Sequence, residues 1–140
     1  MSANRDEYAF VEKWSEDIAE HGFTSIPNVL LINLKYFGLT PSEFVMLSIL
    51  EKFRFTVDNN PWPSISRLSR LAYCTERHTT RLLTSLEAKG CIKRYYGQHK
   101  STTYDLTPLV DKLQRHLVDV YNRQDGLLTG DEDVQEGRPE

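Results

Sequence analysis

Between Arg77 and Thr84 the chain places two guanidinium groups, an imidazole and three hydroxyls. On a helix turning about 100° per residue, with Leu86 at zero, Thr79, Leu82 and Leu83 share one side. Arg77 then falls at about 180°, Thr84 near 160°, Arg81 near 220° and Thr80 near 120°, with His78 at the margin near −80°. The opposed stripes are therefore apolar below and cationic or hydroxylic above. Arginine can form a paired contact to guanine, hydroxyls bond to bases or phosphates, and the threonine methyl suits thymine. The first turn of such a helix adds partial positive charge and free N–H groups that suit phosphate. This is chemistry for the edge of a duplex groove.

Those side chains need a platform, and the surrounding sequence supplies one. Ser64 is a helix cap for Ile65, Leu68, Leu71 and Ala72, and Tyr73-Cys74 breaks that helix. Thr75 caps the next helix, which runs to about Lys89 and is stopped by Gly90. Cys91 to Tyr96 and Thr102 to Leu106 are β-branched or aromatic rich and flank Gly97-Gln98-His99-Lys100-Ser101, a hairpin signal with a basic tip. Upstream, Thr40-Pro41-Ser42-Glu43 reads as a capping box with proline in the first turn. Met46, Leu47, Ile49, Leu50 and Phe53 then form the dry side of that helix, with Ser48, Glu51 and Lys52 opposite. Thr56 to Pro63 is a loop by its Asn and Pro content, and Trp62 is expected to pin it to the hairpin.

The outer segments read as helices. Residues 6–20 carry Phe10, Trp14 and Ile18 at four-residue spacing, which predicts one amphipathic helix ended by Gly22. Phe23 to Phe37 fits either an extended or a helical segment. Thr107-Pro108 starts another helix, with Leu109, Val110, Leu113, Leu117, Val120 and Tyr121 on one side. From Asn122 on, Gly, Asp, Glu and Gln dominate, which predicts an acidic disordered tail.

With 140 residues the chain can bury one core without disulfide or metal help. Its net charge of −3 hides a strong division. Residues 64–104 hold eight bases against two acids, whereas residues 1–20 and 122–140 each hold two bases against six acids. The positive charge is thus gathered on the segment with groove chemistry. The acids of the first twenty residues argue against a secretory signal, and no aliphatic run approaches the ~20 residues of a membrane span. Two cysteines make no disulfide framework, so a cytoplasmic protein with reduced thiols is expected.

Ser64-Ile65, Leu68, Leu71-Ala72, Thr75, Thr79, Arg81, Leu82-Leu83, Leu86-Glu87 and Gly90-Cys91-Ile92 together resemble the winged helix-turn-helix superfamily of bacterial transcription regulators and plasmid or phage replication initiators. The resemblance covers about residues 40–107, and the Phe23-Thr24-Ser25-Ile26-Pro27 lead-in is similar to replication-initiator and mobile-element members. It implies a mainly α domain with a small β-hairpin, an α+β winged helix-turn-helix extended by N- and C-terminal helices. In that arrangement the second helix of the pair lies in the major groove, and the tip Gln98, His99 and Lys100 follows the backbone or enters the minor groove. Two departures stand out: Thr79 occupies a position that is usually aliphatic, and the flanks are acidic where many initiators are basic.

The expected organisation is an N-terminal amphipathic helix at 1–22, a winged-helix DNA-binding domain at 23–107, a C-terminal helix at 108–121 and a tail at 122–140. Double-stranded DNA is the expected partner. Thr75, Arg77, His78, Thr80, Arg81 and Thr84 would serve the groove, and Arg67, Arg70, Lys93, Arg94, Gln98, His99 and Lys100 the phosphates and wing. Leu109, Leu113 and Leu117 could pair two copies, or dock back on their own domain.

Plainer readings stand beside these. Arg77 and Arg81 also suit a solvated helix face, and some winged helices dock proteins instead of DNA. His78 and His99 read better as surface or phosphate-contacting groups than as metal ligands. Cys74 and Cys91 have no partners to complete a zinc set. No phosphate loop, nucleophile elbow or paired metal-spaced acids appear, so neither catalysis nor a cofactor is expected. The expected role is sequence-selective transcription regulation, with a replication-initiation or conjugation accessory of a mobile element and a protein-docking winged helix as the alternatives.

Overall fold

The structure is a computed structural model that describes residues 2–54, 59–97 and 101–124, with side chains from residues 8 to 120 of those spans. Its elements in chain order are α1 (Ser2–Trp14), α2 (Glu16–Glu20), α3 (Asn28–Leu31), α4 (Pro41–Lys52), α5 (Ile65–Ala72), α6 (Glu76–Ala88), β1 (Lys93–Tyr95), β2 (Thr103–Asp105) and α7 (Thr107–Gln124). The winged helix-turn-helix arrangement with added terminal helices is present as expected.

Three helices form the centre. Helix α4 opens on the capping box: Thr40 Oγ1 accepts from the Glu43 amide at 3.2 Å, and the Glu43 carboxylate accepts from the Thr40 amide at 2.8 Å. It lays Met46, Leu47 and Leu50 into the core. Helices α5 and α6 pack on each other and on α4. Ser64 caps α5 and Thr75 caps α6, their hydroxyls accepting from Arg67 and His78 amides respectively. Leu68, Leu82, Leu83 and Leu86 are buried between them.

The exit from α6 fixes where the hairpin starts. The Cys91 amide donates to the Leu86 carbonyl at 3.0 Å and the Gly90 amide to that of Glu87 at 3.0 Å. This pair of bonds requires a left-handed residue at Gly90, whose φ is +77°. Strands β1 and β2 then pair antiparallel, with Lys93 opposite Asp105, Arg94 opposite Tyr104 and Tyr95 opposite Thr103. On the far side of β2 the Tyr104 amide donates to the Pro61 carbonyl at 2.9 Å, which ties the loop before α5 to the wing. Ile92, Tyr104 and Leu106 carry the wing's base into the core.

At the periphery two expectations change and two open alternatives are decided. The single helix expected over 6–20 is two helices broken at Ser15, whose φ is 120° and whose hydroxyl caps α2 through the Ile18 amide at 3.3 Å. Phe23 to Phe37, left open between extended and helical, contains the short α3 followed by turns. Leu71, expected on the dry side of α5, is 44% exposed. The buried side of α5 is centred between Leu68 and Ser69, so a residue three positions after Leu68 falls at its edge. Leu109 and Leu113, which could pair two copies or dock back on their own domain, dock back: both are buried in the core of their own chain, with Leu117 half-buried behind them. His116 shares that inward side of α7, against the rings of Tyr36 at 4.3 Å and Phe37 at 5.2 Å. The tail from 125 lies outside the described residues, and among those described no helix is long and apolar enough to cross a membrane.

Candidate nucleic-acid interface

Helix α6 is oriented by what it buries. Thr79, Leu82, Leu83 and Leu86 face inward, which leaves Arg77, His78, Thr80, Arg81 and Thr84 exposed. Among the described residues neither Arg77 nor Arg81 enters a salt bridge, so both guanidinium groups are presented outward. Thr80 turns its hydroxyl back to the Glu76 carbonyl at 3.0 Å. His78 stands at the margin, lining a cleft with Pro41, Val45, Tyr73 and Leu82.

Thr79, the departure from an aliphatic residue, is fully buried and explains itself by its bonds. Its hydroxyl lies 2.7 Å from Ser69 Oγ and 3.1 Å from Cys74 Sγ. Ser69 in turn donates to the Ile65 carbonyl at 2.7 Å. Each hydroxyl has one proton, and the carbonyl can only accept, so the order of donation is fixed: Cys74 to Thr79, Thr79 to Ser69, Ser69 to Ile65. The turn between α5 and α6 is locked by this short polar chain at a position where an aliphatic residue is usual.

The turn itself supplies a residue that sequence reasoning missed. Tyr73 adopts a left-handed conformation, φ 55° and ψ 46°, and is 96% exposed. With Arg70, Thr75 and Glu76 it lines a shallow surface of about 640 Å³ beside the first turn of α6. The left-handed conformation ends α5 and lets the Cys74 amide donate to the Ser69 carbonyl at 3.1 Å, so the strain serves the turn and leaves the ring outside. The dipeptide Tyr73-Cys74 was legible as a break, but not its handedness.

The cations divide into two groups. Arg67, Arg70, Arg77, Arg81 and Lys93 are exposed. Arg67 lies over the Phe53 ring at 4.8 Å and Lys93 near the Tyr95 ring at 5.5 Å. Arg94, by contrast, is held inside the α6–β1 corner. Its Nε donates to Glu87 at 2.6 Å and its Nη2 to Thr84 Oγ1 at 3.3 Å. It is a brace between helix and wing, not a free phosphate contact, and the hydrogen bond from Arg94 lowers the Glu87 carboxyl below its ordinary value. Gln98, His99 and Lys100, expected at the wing tip, lie outside the described residues.

Lys89 is also internal. Its ammonium donates to Glu43 at 2.6 Å and to the Gly38 carbonyl. Ser85 donates to the other Glu43 oxygen. Burial alone would raise the Glu43 carboxyl, but the bonds from Lys89, Ser85 and the Thr40 amide outweigh it and hold the group at about 2. This node fixes the tilt of α6 on α4, and nothing in local sequence marks it. Among the described residues no cluster of His, Cys, Asp and Glu is arranged to hold a metal ion.

Comparison with known proteins follows the same lines. The family profile of the DnaD N-terminal domain matches residues 26–125. The solved N-terminal domain of DnaD protein from Geobacillus kaustophilus HTA426 is 27% identical, covering 83% of this chain and 97% of its own, with a TM-score of 0.63. A MarR-family transcriptional regulator from Silicibacter pomeroyi is 22% identical over 77% of this chain and 71% of its own, with a TM-score of 0.41. MepR, a transcription regulator of the Staphylococcus aureus multidrug efflux pump MepA, is 18% identical over 75% and 77%, with a TM-score of 0.45. Those two likenesses are too loose to carry an argument. No curated protein sequence matches the chain.

Proposed function

This chain belongs to the DnaD N-terminal domain family, and from that premise we propose that it binds duplex DNA through the outer side of α6, selectively for sequence and without catalysis or a cofactor. One observation carries the reading: Arg77, His78, Thr80, Arg81 and Thr84 are exposed together on the side of α6 opposite its buried stripe. Such a face fits a major groove, with Arg70, Tyr73 and Lys93 placed for the flanking phosphates. Arg77 and Arg81 make no salt bridge among the described residues, which is the arrangement a groove reader needs.

Of the roles open to such a protein, a replication function is favoured over transcription regulation. The match to the DnaD N-terminal domain and the similarity of the 23–27 lead-in to replication-initiator members both support it. Selection of bound fragments from a random duplex pool at two salt concentrations tests the whole proposal. A recovered consensus that Arg81→Ala relaxes at one position is the expected result. Direct repeats would fit the replication role, a palindrome the regulatory one. Recovery of no duplex above background at either salt would sink the reading.

A further inference from the structure

A small cavity of about 150 Å³ opens between α3, α4 and α7, and no residue of α6 lines it. Its walls are the buried side chains of Leu30, Leu47, Leu106, Leu109 and Leu113. Its rim carries Ser48, Glu51 and Arg54 from the α4 end and the 43% exposed Val110 from α7. We infer that this cavity binds a free α-amino acid with an apolar side chain of leucine or phenylalanine size. The inference goes beyond the DNA reading and does not depend on it.

The polar groups of the rim are placed by the way α4 ends. Ser48, Glu51 and Arg54 recur every third residue, so they follow one edge of the helix and its last turn. Past Lys52 the turn continues: the Phe53 amide donates to the Leu50 carbonyl at 3.1 Å and the Arg54 amide to that of Glu51 at 3.0 Å. This brings Arg54 Nη1 to 3.3 Å from Glu51 Oε1, with the two side chains 19% and 31% exposed. On the α3 side the Pro27 carbonyl accepts from the Leu30 and Leu31 amides at 3.1 and 3.2 Å, which holds Ile26 and Pro27 at the opening.

An apolar cavity of this size takes a body about as large as benzene, which suits the side chain of leucine or phenylalanine. The rim then sets the chemical class. The Ser48 hydroxyl gives its proton to the Phe44 carbonyl at 2.9 Å, so toward a ligand its oxygen accepts, as do the Glu51 oxygens. Both suit an ammonium. Arg54 meets Glu51 through Nη1, which leaves Nη2 and Nε for a carboxylate. A ligand with a single charge would meet a like charge beside its partner, a carboxylate near Glu51 or an amine near Arg54. The zwitterion of an α-amino acid answers both, because its two charges and its apolar side chain leave the same carbon.

The test is calorimetric titration of the full chain with leucine, isocaproate and isoamylamine, the last two being leucine without its ammonium and without its carboxylate. Leucine should bind saturably and raise the urea midpoint. Each truncated analogue should bind roughly 10- to 100-fold more weakly, and alanine, which keeps both charges but lacks the apolar body, should also bind weakly. Arg54→Gln should weaken leucine and leave isoamylamine as it was, whereas Glu51→Gln should weaken leucine without weakening isocaproate. Val110→Phe, a change at the exposed mouth, should block leucine with the urea midpoint of the ligand-free chain unchanged. No saturable binding of leucine, equal binding of either truncated analogue, alanine binding as well as leucine, or a Val110→Phe chain that binds leucine like the parent would each overturn the inference.

Discussion

Arg81 and Arg94 show how little residue type alone says about role. Both are arginines of the unit formed by α6 and the wing, yet Arg81 is exposed and Arg94 is bound to Glu87 and Thr84. Arg81→Ala should therefore cost about 1–3 kcal/mol of duplex affinity and relax preference at one base, with folding stability nearly unchanged. Arg94→Ala should show the opposite balance, lowering the urea midpoint more than it lowers affinity. Equal effects on binding would return Arg94 to the interface. Thr79 makes the same point inside the core. Thr79→Val keeps the shape but takes the acceptor from Cys74 and the donor from Ser69, and should destabilise by about 1 kcal/mol. Adding Ser69→Ala should cost less than that change costs alone, because the partner it served is already gone; strictly additive losses in urea unfolding would break the proposed chain of donation.

At the scale of elements, the coupling of α4 to α6 depends on one buried carboxylate. Glu43 caps its own helix and also receives Lys89 and Ser85 from the end of α6. Held at about 2 instead of 4.5, the ionised group stabilises the fold by roughly 3 kcal/mol. Because the folded-state value is the lower one, that contribution is complete above about pH 4.5 and is lost as the pH falls toward 2. Urea midpoints should drop steeply across that window, and Glu43→Gln should start lower and flatten the profile; a profile as steep as the parent's would place the acid sensitivity elsewhere. The contrast between α4 and its node also shows what sequence can carry. Thr40-Pro41-Ser42-Glu43, Ser64, Thr75 and Gly90 announce their helix ends because capping is a local bond between near neighbours. The Glu43–Lys89 pair spans 46 positions and leaves no periodic trace. Ser15 was missed for a related reason: the spacing of Phe10, Trp14 and Ile18 continues across the break, although a serine followed by Glu16 and Asp17 is itself a cap signal. The outward stripe of α6 was legible because helical periodicity alone decides it once Leu82, Leu83 and Leu86 are placed inside.

For the molecule as a whole, the question is how much of the +6 segment is available to a polyanion. Composition counts eight bases between residues 64 and 104. Folding withdraws Lys89 into Glu43 and Arg94 into Glu87, each at 2.6 Å, so these two charges are neutralised before any ligand arrives. Five of the others, Arg67, Arg70, Arg77, Arg81 and Lys93, stay exposed, and Lys100 lies outside the described residues. Counterion release then bounds the salt dependence of duplex binding: with about six phosphates neutralised, log K should fall against log[salt] with a slope near −5 per copy, and no steeper. A slope near −7 would mean that Lys89 and Arg94 abandon their carboxylates on binding, which the Glu43 node makes costly. On the proposed reading the acidic segments at 1–20 and 122–140 would work in the same direction, since each carries six acids against two bases and would repel DNA that the α6 face does not hold. Neutralising the acids of residues 122–140 should therefore tighten binding to random duplex more than to the selected sequence, measured as the ratio of the two affinities at low salt. Unchanged discrimination would leave the groove face as the sole source of selectivity.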